Sequence, residues 1–422
     1  MPSVGLYEWV TRPFPQTFTH IVAGDFVNPQ FTSQGAWDLF CYDRAAGIGR
    51  FYATVKNGKL DNGVNVIDGP LEFGPIHTFD QRWSLIGHIG ARQLLFYDAS
   101  SRVAEVHRVE TDGGLTLQQR HVGMVPTWSH MLPGQFGSSQ VLLYDEVAGY
   151  GEFHHIDPAG NMSLVASHHW ATGWDLIVRG NFSNSANDDL LFYRQSGAGE
   201  FYRVNDNGGT SLLADHENWL TTWTQIVPGQ YVETETYDGL LFYDGGSTTG
   251  IATTDGHGSL QDLATLFGAP WASPWQTVIA GTFIGNIAPV ATSDLVAYSA
   301  REGLIRYFHV VPAAIATVTD LRGIWTDGGS AFPVISESGT DLSIDMSSQH
   351  RPTAHGSVID SQTITVTFAD DATFTGTLHA PGTIVWSNGS SWTKTAPQDG
   401  SFDHTPSAGR VAATPPQSLM TR

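Results

Sequence analysis

The side chains best placed to do chemistry in this sequence are tryptophans that come in pairs four residues apart. Trp170 precedes Trp174, Trp219 precedes Trp223 and Trp271 precedes Trp275, while Met124/Trp128, Phe79/Trp83 and Phe14/Phe18 keep the same spacing. The second member opens an apolar segment and reads as core. The first lies among polar residues such as His216, Glu217 and Asn218, as a loop residue would. An indole exposed in a loop offers a flat apolar face with an N–H donor at its edge. That shape suits the C–H face and hydroxyls of a sugar ring. Trp325 follows Phe308 by 17 residues, as Trp219 follows Tyr202, and so matches the first member of a pair. Trp170, Trp219, Trp271, Trp325, His169, His216 and Asn218 are therefore the candidate ligand-binding residues. The competing assignment for the same indoles is packing between neighbouring repeat units, and one tryptophan can do both.

Other chemistry is thinly represented. There is no Gly-x-Ser-x-Gly elbow, no phosphate-binding loop and no His-Glu-x-x-His. Two histidine pairs stand out, His154-His155 and His168-His169. Neighbours along a strand point to opposite faces, so neither pair readily chelates one metal. Glu105, Glu152 and Glu200 recur at one repeat position, and Asp43, Asp98, Asp145 and Asp244 follow the repeated tyrosines. Recurrence with a repeat marks architecture or a solvated edge rather than catalysis, and no catalytic residue is assigned. A paired-carboxylate glycosidase stays open, because the carboxylate separation it needs is a tertiary quantity.

The elements that must position these residues follow from an internal repeat. Asp38-Leu-Phe-Cys-Tyr42, Gln93-Leu-Leu-Phe-Tyr97, Gln140-Val-Leu-Leu-Tyr144, Asp189-Leu-Leu-Phe-Tyr193, Gly239-Leu-Leu-Phe-Tyr243 and Asp294-Leu-Val-Ala-Tyr298 are copies of one phrase. Their tyrosines are 55, 47, 49, 50 and 55 residues apart. Each phrase is a short apolar run, as a fully buried strand requires. Ahead of most of them lies aromatic-x-x-apolar-x-x-Gly-x-aromatic, as in Trp174, Ile177, Gly180 and Phe182. A third strand such as Gly199-Glu-Phe-Tyr202, a turn such as Asp206-Asn-Gly-Gly209 and a fourth apolar segment complete the unit. Four short strands in about 50 residues describe a propeller blade. The fold class is all-β, a β-propeller of six blades with seven as the alternative count. Leu6 to Val10 align with a fourth strand, so the N-terminus is expected to supply the outer strand of the last blade.

The phrase Gly180-Asn-Phe-Ser-Asn-Ser-Ala-Asn-Asp-Asp189-Leu-Leu resembles the FG-GAP repeat of integrin-α propellers and of fungal and bacterial propeller lectins. Reduced copies stand at Gly24-Asp-Phe26, Gly134-Gln-Phe136 and Gly281-Thr-Phe283, and the resemblance spans residues 17–322. It implies a propeller and a loop that holds Ca²⁺ through oxygens at alternate positions. The matching residues are Asn181, Ser183, Ser185 and Asp189, so one carboxylate is left. Fewer anionic oxygens mean weaker affinity for a hard cation. No metal and no other cofactor is expected, with Asp189 as the one weak metal candidate.

Beyond Asp320 the pattern changes. Ile364, Val366 and Phe368 alternate with polar residues, Asp370-Asp371 reads as a turn, and Ile384 to Trp392 reads as two strands around Asn388-Gly389. The expected division is 1–322 propeller, 323–395 small C-terminal antiparallel β-barrel or sandwich, and 396–422 flexible tail.

Composition bounds the partners. The 422 residues carry a net charge of −21, which disfavours nucleic acid and anionic membrane surfaces and leaves neutral ligands such as glycans. The lone cysteine, Cys41, sits in a buried-strand phrase and allows no intrachain disulfide. No apolar run reaches the roughly 18 residues of a membrane span, and Met1 to Val10 lack a signal-peptide pattern. The expectation is a cytoplasmic protein, with leaderless export as the alternative. The expected function is a lectin with repeated sites between blades. An enzyme acting at the propeller channel or domain interface, and a protein-interaction scaffold, are the alternatives.

Overall fold

A computed structural model describes residues 4–26, 37–59, 65–80, 82–90, 92–183, 185–231, 236–246, 248–267, 274–283, 293–312, 321–329, 332–338, 341–360, 363–379 and 383–394. Trp271 and the expected tail fall outside them. Six four-stranded antiparallel sheets are followed by a closed eight-stranded barrel. No helix among the described residues is long and apolar enough to cross a membrane.

Each sheet is one copy of the repeat. In blade 4 the strands run Leu176–Gly180, Asp189–Tyr193, Gly199–Val204 and Thr210–His216, paired in sequence order. The repeated tyrosines occupy one register. His20, Leu85, His130, Leu176, Gln225 and Thr277 at the start of the inner strands face Tyr42, Tyr97, Tyr144, Tyr193, Tyr243 and Tyr298. The inner strands lie side by side around an axis, and His20–Gly24 of blade 1 returns against Thr277–Gly281 of blade 6. The count is therefore six. Blade 6 is completed by the N-terminal strand Val4–Pro13, which pairs with Leu304–Pro312.

The core is six wedges of apolar side chains between successive blades, because alternate residues of a strand face opposite neighbours. Leu94 and Phe96 of blade 2 pack toward blade 1, while Leu95 and Tyr97 pack toward blade 3. Cys41 is buried between blades 1 and 6, and burial pushes its thiol well up.

Polar residues stitch the wedges. A fourth-strand histidine donates to a glycine carbonyl in the next blade's turn at four junctions: His77 to Gly113, His121 to Gly160, His168 to Gly208 and His216 to Gly258, at 2.7–2.9 Å. Those glycines hold φ between 77° and 89°, where a side chain would strain the turn. A second stitch ties the inner strands. Asp188, Asp238 and Ser293 accept through their side chains from the backbone N–H of Gln135, Asn181 and Gln230, and their own N–H groups donate back to those residues' carbonyls.

The barrel strands are Gly323–Thr326, Val334–Ser338, Asp341–Asp345, Ala354–Asp360, Thr363–Thr367, Thr373–His379, Thr383–Trp386 and Ser391–Lys394. Closure comes from Trp325 and Thr326 pairing with Lys394 and Thr393. Ile364, Val366 and Phe368 face inward with Leu342, Ile344, Ile384, Trp386 and Trp392. The choice between barrel and sandwich is thereby decided for the barrel.

Candidate functional site

Of the loop indoles expected as platforms, Trp219 is buried, Trp170 is half-buried and Trp271 lies outside the described residues. Trp219 is only 2% exposed and lies in the wedge between blades 4 and 5. Its ring rests on Gly199, where a Cβ would come within 2.8 Å, and it packs edge-on to Phe242 with centroids 5.5 Å apart. Trp170 repeats this seat on Gly151 but keeps part of its surface in solvent. A glycine opening the third strand makes a slot, and the loop aromatic drops into it.

Trp325 has a different position altogether. It lies in the barrel core, 1% exposed, and its indole N–H donates to the Leu321 carbonyl at 2.8 Å. Its match to the pair spacing fails because the outer strand of blade 6 comes from the N-terminus. The loop after that strand carries Phe14, which is where the sixth pair belongs.

His216 is on the fourth strand of blade 4, bound to Gly258, rather than in the loop. Asn218 is exposed with φ 67°, a left-handed turn conformation that asparagine tolerates. His169 is exposed beside the Tyr150 ring, 5.0 Å between centroids, in a different blade junction from Asn218.

The Asp189 carboxylate is occupied by protein. It is buried and accepts from the N–H groups of Phe182 and Val204 at 3.2 and 3.3 Å, and burial pushes its pKa up. Ser183 Oγ accepts from Arg203, and Ser185 Oγ from the Asn187 N–H. Asp38 makes the same two backbone contacts in blade 1, to Phe26 and Thr54. The repeated aspartate thus ties its own loop to the third strand.

The recurring acidic positions are also structural. Glu152 binds His154 at 2.9 Å and the Tyr150 hydroxyl at 2.7 Å, and Glu105 binds His107 and Arg120. Burial lowers the His154 pKa although Glu152 opposes the shift. Asp98, Asp145 and Asp244 accept from N–H groups two residues on and close the turn after their tyrosines.

A concave site does exist, at one mouth of the barrel. Four loops meet there, because alternate connections of an up-and-down barrel lie at the same end. They enclose a cleft of about 160 Å³. Trp386 and Trp392 flank the Asn388-Gly389 turn and form the floor with Phe368. The two indoles are 4.9 Å apart at 72°, and Phe368 stands edge-on to both. Trp386 is 3% exposed and its indole N–H is buried without an acceptor, as are those of Trp83, Trp128, Trp174 and Trp219 in the blades.

The rim is polar. Gln349, Asn388, Ser390, Asp327, Asp371 and Arg351 line it. The Arg351 guanidinium lies 5.2 Å from the Phe368 ring centroid and is gripped by both oxygens of Asp370 at 2.9 Å. That pair pushes the Arg351 pKa up and the Asp370 carboxyl down. Asp371 is 3.7 Å from the same guanidinium.

Sequence reading passed over this cleft. Trp386, Asn388 and Trp392 register there as a hairpin, and Arg351 carries no signal. The available clue is a pair of tryptophans flanking a tight turn, which sets two large rings at one end of two paired strands.

No protein-family model matches the chain, and no curated protein matches it. Among solved structures, a protein from Lactobacillus plantarum aligns at 12% identity over 74% of this chain and 95% of its own, with a TM-score of 0.40. Sqt1 of Saccharomyces cerevisiae aligns at 8% identity over 88% of this chain and 85% of its own, with a TM-score of 0.36.

Proposed function

We propose that this protein is a carbohydrate-binding protein, a lectin, and that it holds one sugar unit in the mouth of its C-terminal barrel. The observation that carries the reading is the cleft at the barrel mouth, where the largely buried rings of Trp386, Trp392 and Phe368 meet a polar rim of Asn388, Gln349 and Arg351. An aromatic floor takes the apolar face of a pyranose, and a polar rim takes its hydroxyls.

In this reading the propeller is the scaffold. Its FG-GAP-like phrase supports kinship with blades of that family in which the metal loop has been replaced by hydrogen bonds to Asp189. Trp170 and His169 keep exposed surface in the blades but do not line the cleft.

The test is a glycan array with the full chain, the rim variants Asn388→Ala and Gln349→Ala, and Trp170→Ala. The rim residues are partly or fully exposed, so folding survives their loss. The expected result is glycan binding that both rim variants weaken and Trp170→Ala leaves intact. Binding lost with Trp170 but kept in the rim variants would move the site to the blades, and no glycan bound would end the lectin reading.

A further inference from the structure

We propose that Asn388, in the turn at the barrel mouth, modifies itself: the Gly389 backbone nitrogen displaces its side-chain amide as ammonia and leaves aspartate or isoaspartate at that position. The turn alone supports this, whatever the cleft binds.

The chemistry needs only water. Once the Gly389 nitrogen has given its proton to hydroxide, it bonds to Asn388 Cγ and places the negative charge on Oδ1. That charge collapses, the Cγ–Nδ2 bond breaks, and the nitrogen leaves as ammonia. A five-membered succinimide remains. Water opens it at either carbonyl, so the chain continues through the α-carboxyl as aspartate or through the side chain as isoaspartate. In sum, one amide and one water become one carboxylate and one ammonium ion. Glycine after the asparagine favours the first step, because no side chain crowds the attacking nitrogen or restricts its backbone.

The structure sets one Asn-Gly pair apart. The sequence holds four: Asn57-Gly58, Asn62-Gly63, Asn207-Gly208 and Asn388-Gly389. Asn57 lies within the strand Ile48–Lys59, and Asn62 lies outside the described residues. Asn207-Gly208 is a turn pressed against blade 3. Gly208 is buried, a Cβ there would come within 2.9 Å of the Ala166 Cβ, and its carbonyl is held by His168 at 2.7 Å. Ring closure must swing the peptide between the two residues, and this packing holds it. Asn388 and Gly389 are both exposed, with nothing within 4 Å of where a Gly389 Cβ would stand. Each glycine N–H donates to a carbonyl, Gly389 to Trp386 at 2.9 Å and Gly208 to Asn205 at 3.0 Å, so that restraint is common to both. The second difference is Ser390. Its N–H and its hydroxyl both donate to Asn388 Oδ1, at 3.0 and 2.7 Å. These two donors stand where the negative charge develops, as in an oxyanion hole. Asn207 Oδ1 accepts from the Gly209 N–H alone among the described residues.

Asn388 lines the cleft, so the reaction puts a carboxylate on its rim. Isoaspartate also lengthens the main chain of the turn that joins the strands carrying Trp386 and Trp392.

The experiment incubates the full chain at neutral pH and follows the peptides holding Asn388 and Asn207 by mass, with isoaspartate read by methyltransferase labelling. In the folded chain Asn388 should convert at least about tenfold faster than Asn207, a difference of about 1.4 kcal/mol in barrier. In denaturing urea both pairs are released from their packing, and the ratio should fall toward one. Ser390→Ala should slow conversion at Asn388 by about tenfold, and Ser390→Thr, which keeps the hydroxyl, should restore it. Conversion should quicken as pH rises, because the nitrogen attacks without its proton. Equal folded rates at the two asparagines, or conversion of Asn388 only in urea, overturns the proposal. A Ser390→Ala chain that converts like the parent overturns the role of the hydroxyl.

Discussion

At the scale of single residues, the polar groups of this protein are mostly committed to its own backbone. Asp189, His216 and the turn aspartates each look chemical in the sequence, yet Asp189 and His216 each hold two segments together and the aspartates close their own turns. Asp341 differs. It opens a barrel strand, is 6% exposed, and one of its carboxyl oxygens has no partner. Burial raises its pKa to about 6. A raised carboxyl pKa means that the folded state favours the protonated form. The contribution of Asp341 to stability should therefore be most favourable below about pH 4, fall between about pH 4 and about pH 6, and stay low above that. Asp341→Asn removes the charge and keeps the shape. It should raise stability by on the order of 2–3 kcal/mol at neutral pH, with the gain fading toward about pH 4. Melting curves across that range check it. Equal melting of variant and parent at neutral pH would show that the carboxylate is solvated in place.

At the scale of elements, the junction between blades decides between the two sequence readings of Trp219 in favour of packing. An indole in a polar stretch reads as exposed, because its immediate neighbours are. Gly199, far from Trp219 in the chain, decides otherwise by leaving a slot under the ring. Trp219→Ala should cost about 3–5 kcal/mol, since it empties a filled wedge. His216→Ala should cost about 1–3 kcal/mol by leaving the Gly258 carbonyl unanswered. Urea denaturation measures both. Loss of less than about 0.5 kcal/mol from Trp219→Ala, in the range of an ordinary surface change, would contradict the buried placement. A bulge recurs as well: pairing between the third and fourth strands slips at Val106/His107, Phe153/His154, Phe201/Tyr202 and Ile251/Ala252. Strict alternation does not announce such a slip, yet it is what exposes Leu117, Leu164 and Leu212.

At the scale of the whole molecule, the ring is closed by pairing between the two ends of the propeller sequence. Val4–Pro13 covers the edge of Leu304–Pro312, nearly three hundred residues away. Phe14, just beyond, packs with Phe18 and Tyr298 across the blade 6–blade 1 wedge. Removing residues 1–13 should leave blade 6 with a bare edge, whose unpaired backbone groups template association. The expected outcome is a lower and broader melting transition together with oligomers on size exclusion. A truncated chain that melts with the parent and stays monomeric would show that closure contributes little.

The sequence by itself determined the repeat, the blade, the closing strand and the barrel hairpins. All of these follow from alternation, spacing and turn residues, which are local properties of the chain. It also determined that Asp189 has too few acidic neighbours along its loop to resemble a full calcium site. What only the tertiary structure decided is where each side chain ends up relative to residues distant in sequence. Trp219 is buried because of Gly199, Trp325 belongs to the barrel because the N-terminus completes blade 6, and six blades close because His20–Gly24 returns to Thr277–Gly281. The cleft at the barrel mouth is of the same kind. Arg351, Phe368, Trp386 and Trp392 sit in different loops and strands, and only closure of the barrel brings them to one rim. Concavity has no local code, since it is made by the empty space between elements rather than by the residues along any one of them.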